Sequence, residues 1–428
     1  MQIHVVTPGQ SLYGIAQAYG TTAEAIAEAN QIPDPNRLAA GQALVIPIQG
    51  MFYWVQPGDT WFLIEMKFGI SYQELARINQ IPLNQSLPIG LRLYIPPRQK
   101  VNAEVNAYLE PTGDAVSATL LQSASEAAPY LTYLAPFSFE MQRDGTLKEP
   151  PLNGIAEIAA ASQATLMMVI TNLEEGAFSD ELGNIVLNDM AIQDRLLNEI
   201  IDTAHRYGFR DIHFDLEFLL PEDREAYNAF LRKAAERIRA QGFLISTALA
   251  PKTSAEQAGQ WYEAHDYGAH GEIVDFVVLM TYEWGYSGGP PMPVSPIGPV
   301  REVVNYALTE IPASKIMLGQ NMYGYDWTLP FVEGGPYARA LSPQQAIQLA
   351  LDENAAISYD YRAQAPYFRY VDEQGRSHEV WFEDARSIQA KFNLIRELGL
   401  RGISYWKLGL SFPQNWLLLS DNFNIVKR

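Results

Sequence analysis

The chain has 428 residues, 48% of them hydrophobic, and a formal net charge of -19. That length and apolar content allow two or three folded domains with a sizeable core and exclude disorder for most of the chain. The acidic balance, with no Lys/Arg cluster to offset it, sets nucleic acid and anionic membrane aside as partners, and the absence of cysteine removes disulfides, thiolate nucleophiles and Cys-ligated metal together.

No uninterrupted apolar run approaches the roughly 20 residues that span a bilayer, so a soluble protein is expected. The N-terminus, "MQIHVVTPGQS", lacks the basic, apolar and small-residue succession of a secretory signal. Export by the usual route is therefore not expected.

The first hundred residues repeat. Shifting the chain by 49 residues lays "TPGQSLYGIAQAYGTTAEAIAEANQIP" over "QPGDTWFLIEMKFGISYQELARINQIP", without a gap as far as Pro47 and Pro96. Each unit reads as a short strand (His4 to Val6; Tyr53 to Val55), a Pro-Gly turn, two short helices and a closing strand that ends in Ile-Pro. Ser11 and Thr60 are placed to cap the first helices, Thr22 and Ser71 the second.

Pro8-Gly9 with Ser11, Pro57-Gly58-Asp59-Thr60, and the Asn30 and Asn79 that close the second helices give these βααβ units a resemblance to LysM modules, which bind N-acetylglucosamine-containing polymers. The resemblance implies a shallow sugar groove between the first turn and the segment after the second helix. In the first unit (1–49) this means Gly9, Ser11 and Leu12 with Ile32 in Gln31 to Pro33. In the second (50–97) it means Gly58, Thr60 and Trp61 with Ile81 in Gln80 to Pro82. Leu12 and Trp61 fit equally well as core residues. The stretch 98–103, within "PPRQKVNAEV", has no periodicity and reads as a linker.

From 104 to 428, short apolar runs alternate with stretches of helical period. The strand candidates are "EVNAYLEP", "LTYLAPFSF", "TLMMVITN", "DIHFDLEF", "LISTALAP", "FVVLMTYE", "KIMLGQNMYGY" and "GISYWKLG". Between them lie helical patterns such as Tyr227, Phe230, Leu231, Ala234 and Ile238, on one face of a helix that starts near Pro221 and stops at Gly242. Strict alternation implies parallel strands with crossover helices. Eight units predict an α/β fold, a (β/α)8 TIM barrel, with a small α+β insertion near 363–382, where "PYFRYVDEQGRSHEVWF" reads as a hairpin. An open doubly wound sheet is the rival architecture, but the Gly-rich phosphate loop that follows its first strand is not visible.

The fourth strand candidate is unusual. Flanking helical patterns, Met190 to Tyr207 and Pro221 to Ala240, make it an interior parallel strand, which normally reads as continuously apolar. Side chains alternate along a strand, so Ile212, Phe214, Leu216 and Phe218 are expected to meet the helices, and Asp211, His213, Asp215 and Glu217 to face the barrel lumen. Burying unpartnered carboxylates costs several kcal/mol each. One reading is that His213 and Asp215 form a neutralised plug. The other is chemical, and Glu217 carries it because it sits at the strand's C-terminal end, where barrel enzymes hold their catalytic groups. Asp215 and Glu217, with Cβ atoms roughly 7 Å apart, resist ionising together, which leaves a proton available near neutrality. Asp215 lies deeper on the same strand and is poorly placed to attack the far side of a sugar, so a retaining glycosidase built this way needs a nucleophile from its substrate.

"DIHFDLE" resembles the strand-four signature of glycoside hydrolase family 18, "LMTYEW" its strand six, "YGYDW" its strand seven and "GISYWKLG" its strand-eight tryptophan. The resemblance implies that the substrate's 2-acetamido oxygen attacks C1, that Glu217 protonates the leaving oxygen and later activates water, that Asp215 orients the acetamide and that Tyr282 hydrogen-bonds it. It implies Trp406 as the floor of the site, with His213, Met280, Asn321, Tyr323, Tyr325, Asp326 and Trp327 as further substrate contacts. His213 departs from the family pattern, which has Asp or Asn there, and an altered pH dependence is expected. No metal or cofactor is implied.

Paired LysM modules ahead of such a barrel most resemble the spore-associated lytic enzymes of endospore formers. The expectation is an N-acetylglucosaminidase acting on cortex peptidoglycan or its fragments, a monomer located in the spore coat or cortex and held on glycan by its modules. A chitinase acting on chitin oligomers and a non-catalytic glycan-binding coat protein are the alternatives. Retention of Glu217 speaks against a non-catalytic role.

Overall fold

Eight short apolar strands close on themselves in the computed structural model, which describes residues 1–428. In chain order they are Val101–Leu109, Tyr133–Pro136, Thr165–Thr171, Asp211–Asp215, Leu244–Leu249, Phe276–Leu279, Ile316–Asn321 and Gly402–Trp406. Each pairs in parallel with the next, and the eighth returns to the first, with Gly402 opposite Glu104 and Tyr405 opposite Ala107. Closure requires a glycine at one contact, since a Cβ on Gly402 would lie 1.8 Å from the Glu104 carbonyl oxygen.

Amphipathic helices form the outer ring because their apolar stripes have only the barrel to cover them. Met190–Tyr207 is typical: Asp189 caps its N-terminus, Gly208 ends it at φ 78°, and Leu196, Leu197 and Ile200 are fully buried. Pro221–Asp223 forms a separate 3-10 turn before the helix Arg224–Ala240. No helix is long and apolar enough to cross a membrane.

A five-stranded antiparallel sheet follows barrel strand seven, built from Gly324–Thr328, Arg339–Leu341, Ser358–Asp360, Ala365–Val371 and Ser377–Trp381, with the helix Pro343–Asp352 against it. The sheet thus starts well before residue 363. The strand from 324 pairs with both 339–341 and 377–381 and is an interior strand of the sheet, whose centre is Ser377–Trp381. The first barrel strand begins at Val101, leaving only a short connection after the repeats.

Each N-terminal repeat is a two-stranded antiparallel sheet, Gln2–Val5 with Ala43–Ile46 and Met51–Trp54 with Arg92–Ile95, over two helices. Ser11, Thr22, Thr60 and Ser71 accept hydrogen bonds from the backbone N–H three residues on, satisfying donors the helices leave free. Asn30 makes the decisive tie. Its amide donates to the Val45 carbonyl at 2.8 Å and its oxygen accepts from the Val45 N–H at 2.8 Å, locking the helical pair to the closing strand. Asn79 does the same with Tyr94.

Candidate active site

The fourth barrel strand carries its polar face inward. Asp211 and His213 are completely buried and Asp215 and Glu217 nearly so, whereas Ile212, Phe214 and Leu216 pack into the main apolar core between strands and helices. Phe218 departs from the expected alternation. The strand ends at Asp215, the chain turns at Phe218 with φ 53°, and its ring emerges half exposed and stacks on Trp261, with centroids 5.9 Å apart.

Three long-range contacts fix Glu217. Its N–H donates to Asn172 Oδ1 at 2.9 Å, and the Asn172 amide donates back to the Glu217 carbonyl at 2.8 Å. His265 Nδ1 accepts from the Ala250 N–H, which leaves Nε2 to donate to the Leu216 carbonyl at 2.9 Å. The Trp261 indole N–H donates to Glu217 Oε2 at 2.6 Å. Burial pushes the Glu217 carboxyl well above the usual range, the Asp215 charge adds to this, and the Trp261 bond opposes it. Burial likewise raises Asp215 to about 7. Two such carboxyls hold a proton near neutral pH.

Beneath them runs a hydrogen-bonded chain. Ser246 Oγ donates to Asp211 Oδ1 at 2.6 Å, so His213 Nδ1 donates to Ser246 Oγ at 2.8 Å, and His213 Nε2 accepts from the Tyr108 hydroxyl at 2.9 Å. Burial holds His213 neutral, its pKa pushed down to about 3. Both ring nitrogens are occupied, so His213 supports the site from below and does not line it.

Above lies a cleft of about 710 Å³ that contains Asp215, Glu217, Met280, Tyr282, Tyr323, Tyr325 and Trp406. Trp406 meets Phe137 edge-on at 4.7 Å and Tyr108 at 5.6 Å, giving an aromatic floor. Burial raises the Tyr282 hydroxyl well above 10, so it remains a donor. Glu283, also in the cleft, accepts from the hydroxyls of Tyr323 and Tyr325, and Lys407 pairs with Glu110 at the cleft's edge.

Several expected contacts lie elsewhere. Asn321 is fully buried and donates to the Tyr323 carbonyl at 2.6 Å, holding the chain as it leaves strand seven. Trp327 is buried in the aromatic core beside the added sheet, its indole donating to the Gly289 carbonyl. Asp326 joins His378, Arg339 and Tyr370 on that sheet's far side. In the strand Gly324–Thr328 alternation turns Asp326 to the opposite face from Tyr325 and Trp327; of the latter two, Tyr325 lines the cleft and Trp327, packed against it at 5.5 Å, is buried beyond the lining. Conversely, Asn172, Trp261, His265 and Glu283 belong to the site although no motif in the sequence marks them. Asn172 and Glu283 immediately follow "LMMVIT" and "LMTY", at strand ends where barrel enzymes place functional groups, and that position was the available signal.

Comparison with known proteins decides the family. Residues 110–410 match the model of "Glycosyl hydrolases family 18". The chain belongs to glycosyl hydrolase family 18. Residues 4–47 and 53–96 of this family 18 chain match the LysM domain. It is 69% identical over 428 residues to a cortical fragment-lytic enzyme of Bacillus subtilis, covering 100% of this chain and 99% of the relative. It is 55% identical to a protein of the same description from Bacillus anthracis, covering 100% of each. Among solved structures, the spore cortex-lytic enzyme SleL of Bacillus megaterium matches with a TM-score of 0.92 at 56% identity, over 100% of this chain and 99% of that one.

In the LysM domains, Gly9 and Gly58 occupy exposed turns at φ 84° and 87°, and Ser11 and Thr60 cap helices. Leu12 is only 2% exposed and belongs to its domain's core, so it offers no groove wall. Trp61 packs partly against the second domain's core, and its buried indole N–H has no partner. Ile32 and Ile81 pack, partly buried, against the cores of their own domains.

Proposed function

We propose that this family 18 chain is a retaining N-acetylglucosaminidase that cleaves spore cortex peptidoglycan or its fragments and is held on the glycan by its LysM domains. The observation that carries this reading is the Asp215–Glu217 pair, with the Glu217 carboxyl held by Trp261 over the Trp406 floor. A raised carboxyl in a desolvated cleft is a proton donor. Glu217 gives its proton to the leaving glycosidic oxygen while the substrate's acetamide oxygen attacks C1, forming an oxazolinium ion. Asp215, beside it, orients the acetamide and stabilises the developing positive charge, and Tyr282 donates to the acetamide oxygen. Water then attacks C1 and Glu217 takes its proton back, so configuration is retained over two inversions. The names of its relatives, a cortical fragment-lytic enzyme and a spore cortex-lytic enzyme, support spore cortex as the substrate.

Glu217→Gln keeps the Trp261 contact but has no proton to give. Its turnover on cortex fragments is expected to fall roughly 100-fold to 10,000-fold with glycan binding retained. Unchanged hydrolysis would remove Glu217 from its role. Mass analysis of products from cortex fragments and from a chitin oligomer separates the two substrate classes.

A further inference from the structure

The first LysM domain is docked on the barrel. The Gln344 amide donates to the Asn30 carbonyl at 2.8 Å, the Ile357 N–H donates to the Ala40 carbonyl at 2.8 Å, and Arg386 donates to the Gly41 carbonyl at 3.2 Å. Gly41, at φ 81°, abuts the Ile357 carbonyl so closely that a Cβ would lie 1.7 Å from its oxygen. Ala43 and Val45 of the closing strand join the same buried apolar cluster as the barrel's strands and helices. These contacts give the domain one pose relative to the cleft.

Between the two lies a cavity of about 420 Å³. One wall is Gln31, Ile32, Pro33 and Arg37, the segment after the second LysM helix, where the groove is expected to receive sugar. The opposite wall is the Gln344–Gln348 face of the helix Pro343–Asp352, and Gly409 to Ser411 close one end. Leu410 also lines the catalytic cleft, next to Trp406 and Lys407. The two cavities therefore share a residue.

The composition of the junction is as telling as its place. The chain carries 49 Asp and Glu, yet no carboxylate lines this cavity; its one charged side chain, Arg37, pairs at 3.3 Å with Asp352, which is not among the lining residues. The amide groups that the junction's own hydrogen bonds leave over, among them Gln31 Nε2, Gln344 Oε1 and Gln345 Nε2, are donors and acceptors of the kind that match hydroxyl and N-acetyl groups. Ile32, Pro33 and Leu410 offer small apolar faces between them. In a protein of net charge -19, a recess free of carboxylates whose arginine is balanced by Asp352 suits the uncharged hydroxyl and N-acetyl groups of a glycan backbone.

We propose that the junction is a remote glycan subsite, so that the catalytic cleft, the Leu410 ridge and the first LysM groove form one continuous track for a single peptidoglycan strand. This rests on the glycosidase reading above. Because the docked domain is already in register, a long strand gains contacts in the junction without the ordering cost of a flexible tether. The second LysM domain is off this track: it touches the first through Arg92 on the Ala18 carbonyl and Gln2 on Phe52, and its own Gln80 to Pro82 segment does not line the junction.

The test uses the full chain and soluble cortex glycan strands separated into short and long fractions. Ser411→Trp and Gln348→Trp fill the junction from different sides. Each is expected to lower the ratio of kcat/KM on long strands to that on short strands about 10-fold, equivalent to about 1.4 kcal/mol. In the Glu217→Gln background, Ser411→Trp is expected to weaken long-strand binding by a similar factor, a measurement independent of turnover. Thermal unfolding identifies any variant that fails to fold. An unchanged ratio in both folded variants, or a wild-type enzyme indifferent to strand length, overturns the track. A wild-type chain that cleaves neither fraction overturns the glycosidase reading instead.

Discussion

Trp261 acts on Glu217 through a single hydrogen bond, and its sign is open to measurement. The indole N–H donates to Glu217 Oε2 at 2.6 Å and favours the ionised carboxylate, opposing the larger effects of burial and of Asp215. A hydrogen bond to a charged group contributes about 1.5 kcal/mol. Trp261→Phe keeps an aromatic partner for Phe218 and removes the donor. The acid must be protonated to act, so the alkaline limb of kcat/KM against pH is expected to move up in this variant. A limb that stays in place or moves down would show that Trp261 does not hold the catalytic carboxyl.

At the scale of elements, the site depends on strand ends pinned to one another across the barrel mouth. Asn172 follows strand three directly and closes both backbone groups of Glu217, so Asn172→Ala leaves a buried N–H and a buried carbonyl short of partners. That costs about 1–3 kcal/mol of stability for each buried group left unsatisfied. It also frees the acid to drift, and a misplacement of about 1 Å costs roughly 100-fold in rate. Chemical denaturation and kcat on cortex fragments are both expected to fall in this variant; loss of stability with full activity would separate the clamp from catalysis. The same dependence explains what was legible in the sequence. Strand order, the repeat, the helix caps and the polar face of strand four are local patterns of period and spacing, and they could be read directly. Alternation predicts a helix-facing Phe218, but it holds only as far as Asp215, where the strand stops, and the backbone turns through positive φ at Phe218 itself. Asn321 and Trp327 share an aromatic and amide-rich run with Tyr323 and Tyr325, and only the pairing of Gly324–Thr328 into the added sheet decides which side chains face the cleft. Asn172 and Trp261 reach Glu217 from 45 and 44 residues away, distances at which no local pattern operates.

For the molecule as a whole, buried titratable groups couple the fold to pH. His270 is fully buried between Thr247 and the Tyr227 ring, and burial, with a smaller contribution from His265, pushes its pKa down to about 3. In the unfolded chain the same imidazole titrates near 6.5. Between those values the unfolded state binds the extra proton, so stability is complete above about 6.5 and is lost as pH falls. The buried acids act in the opposite direction: Asp211 and Asp215, raised to about 7, keep protons in the folded state that the unfolded state releases. The net pH dependence of the wild-type chain therefore mixes both signs, and a single histidine is best isolated by difference. His270→Gln can keep the Thr247 hydrogen bond and does not titrate. Denaturant unfolding of both proteins at pH 7 and pH 5 is expected to show the wild type losing about 2 kcal/mol more than the variant over that interval, because the acids contribute equally to each. Equal losses would mean that His270 takes up its proton without unfolding, and that the helix Tyr267–Ile273 gives way locally to let water reach it.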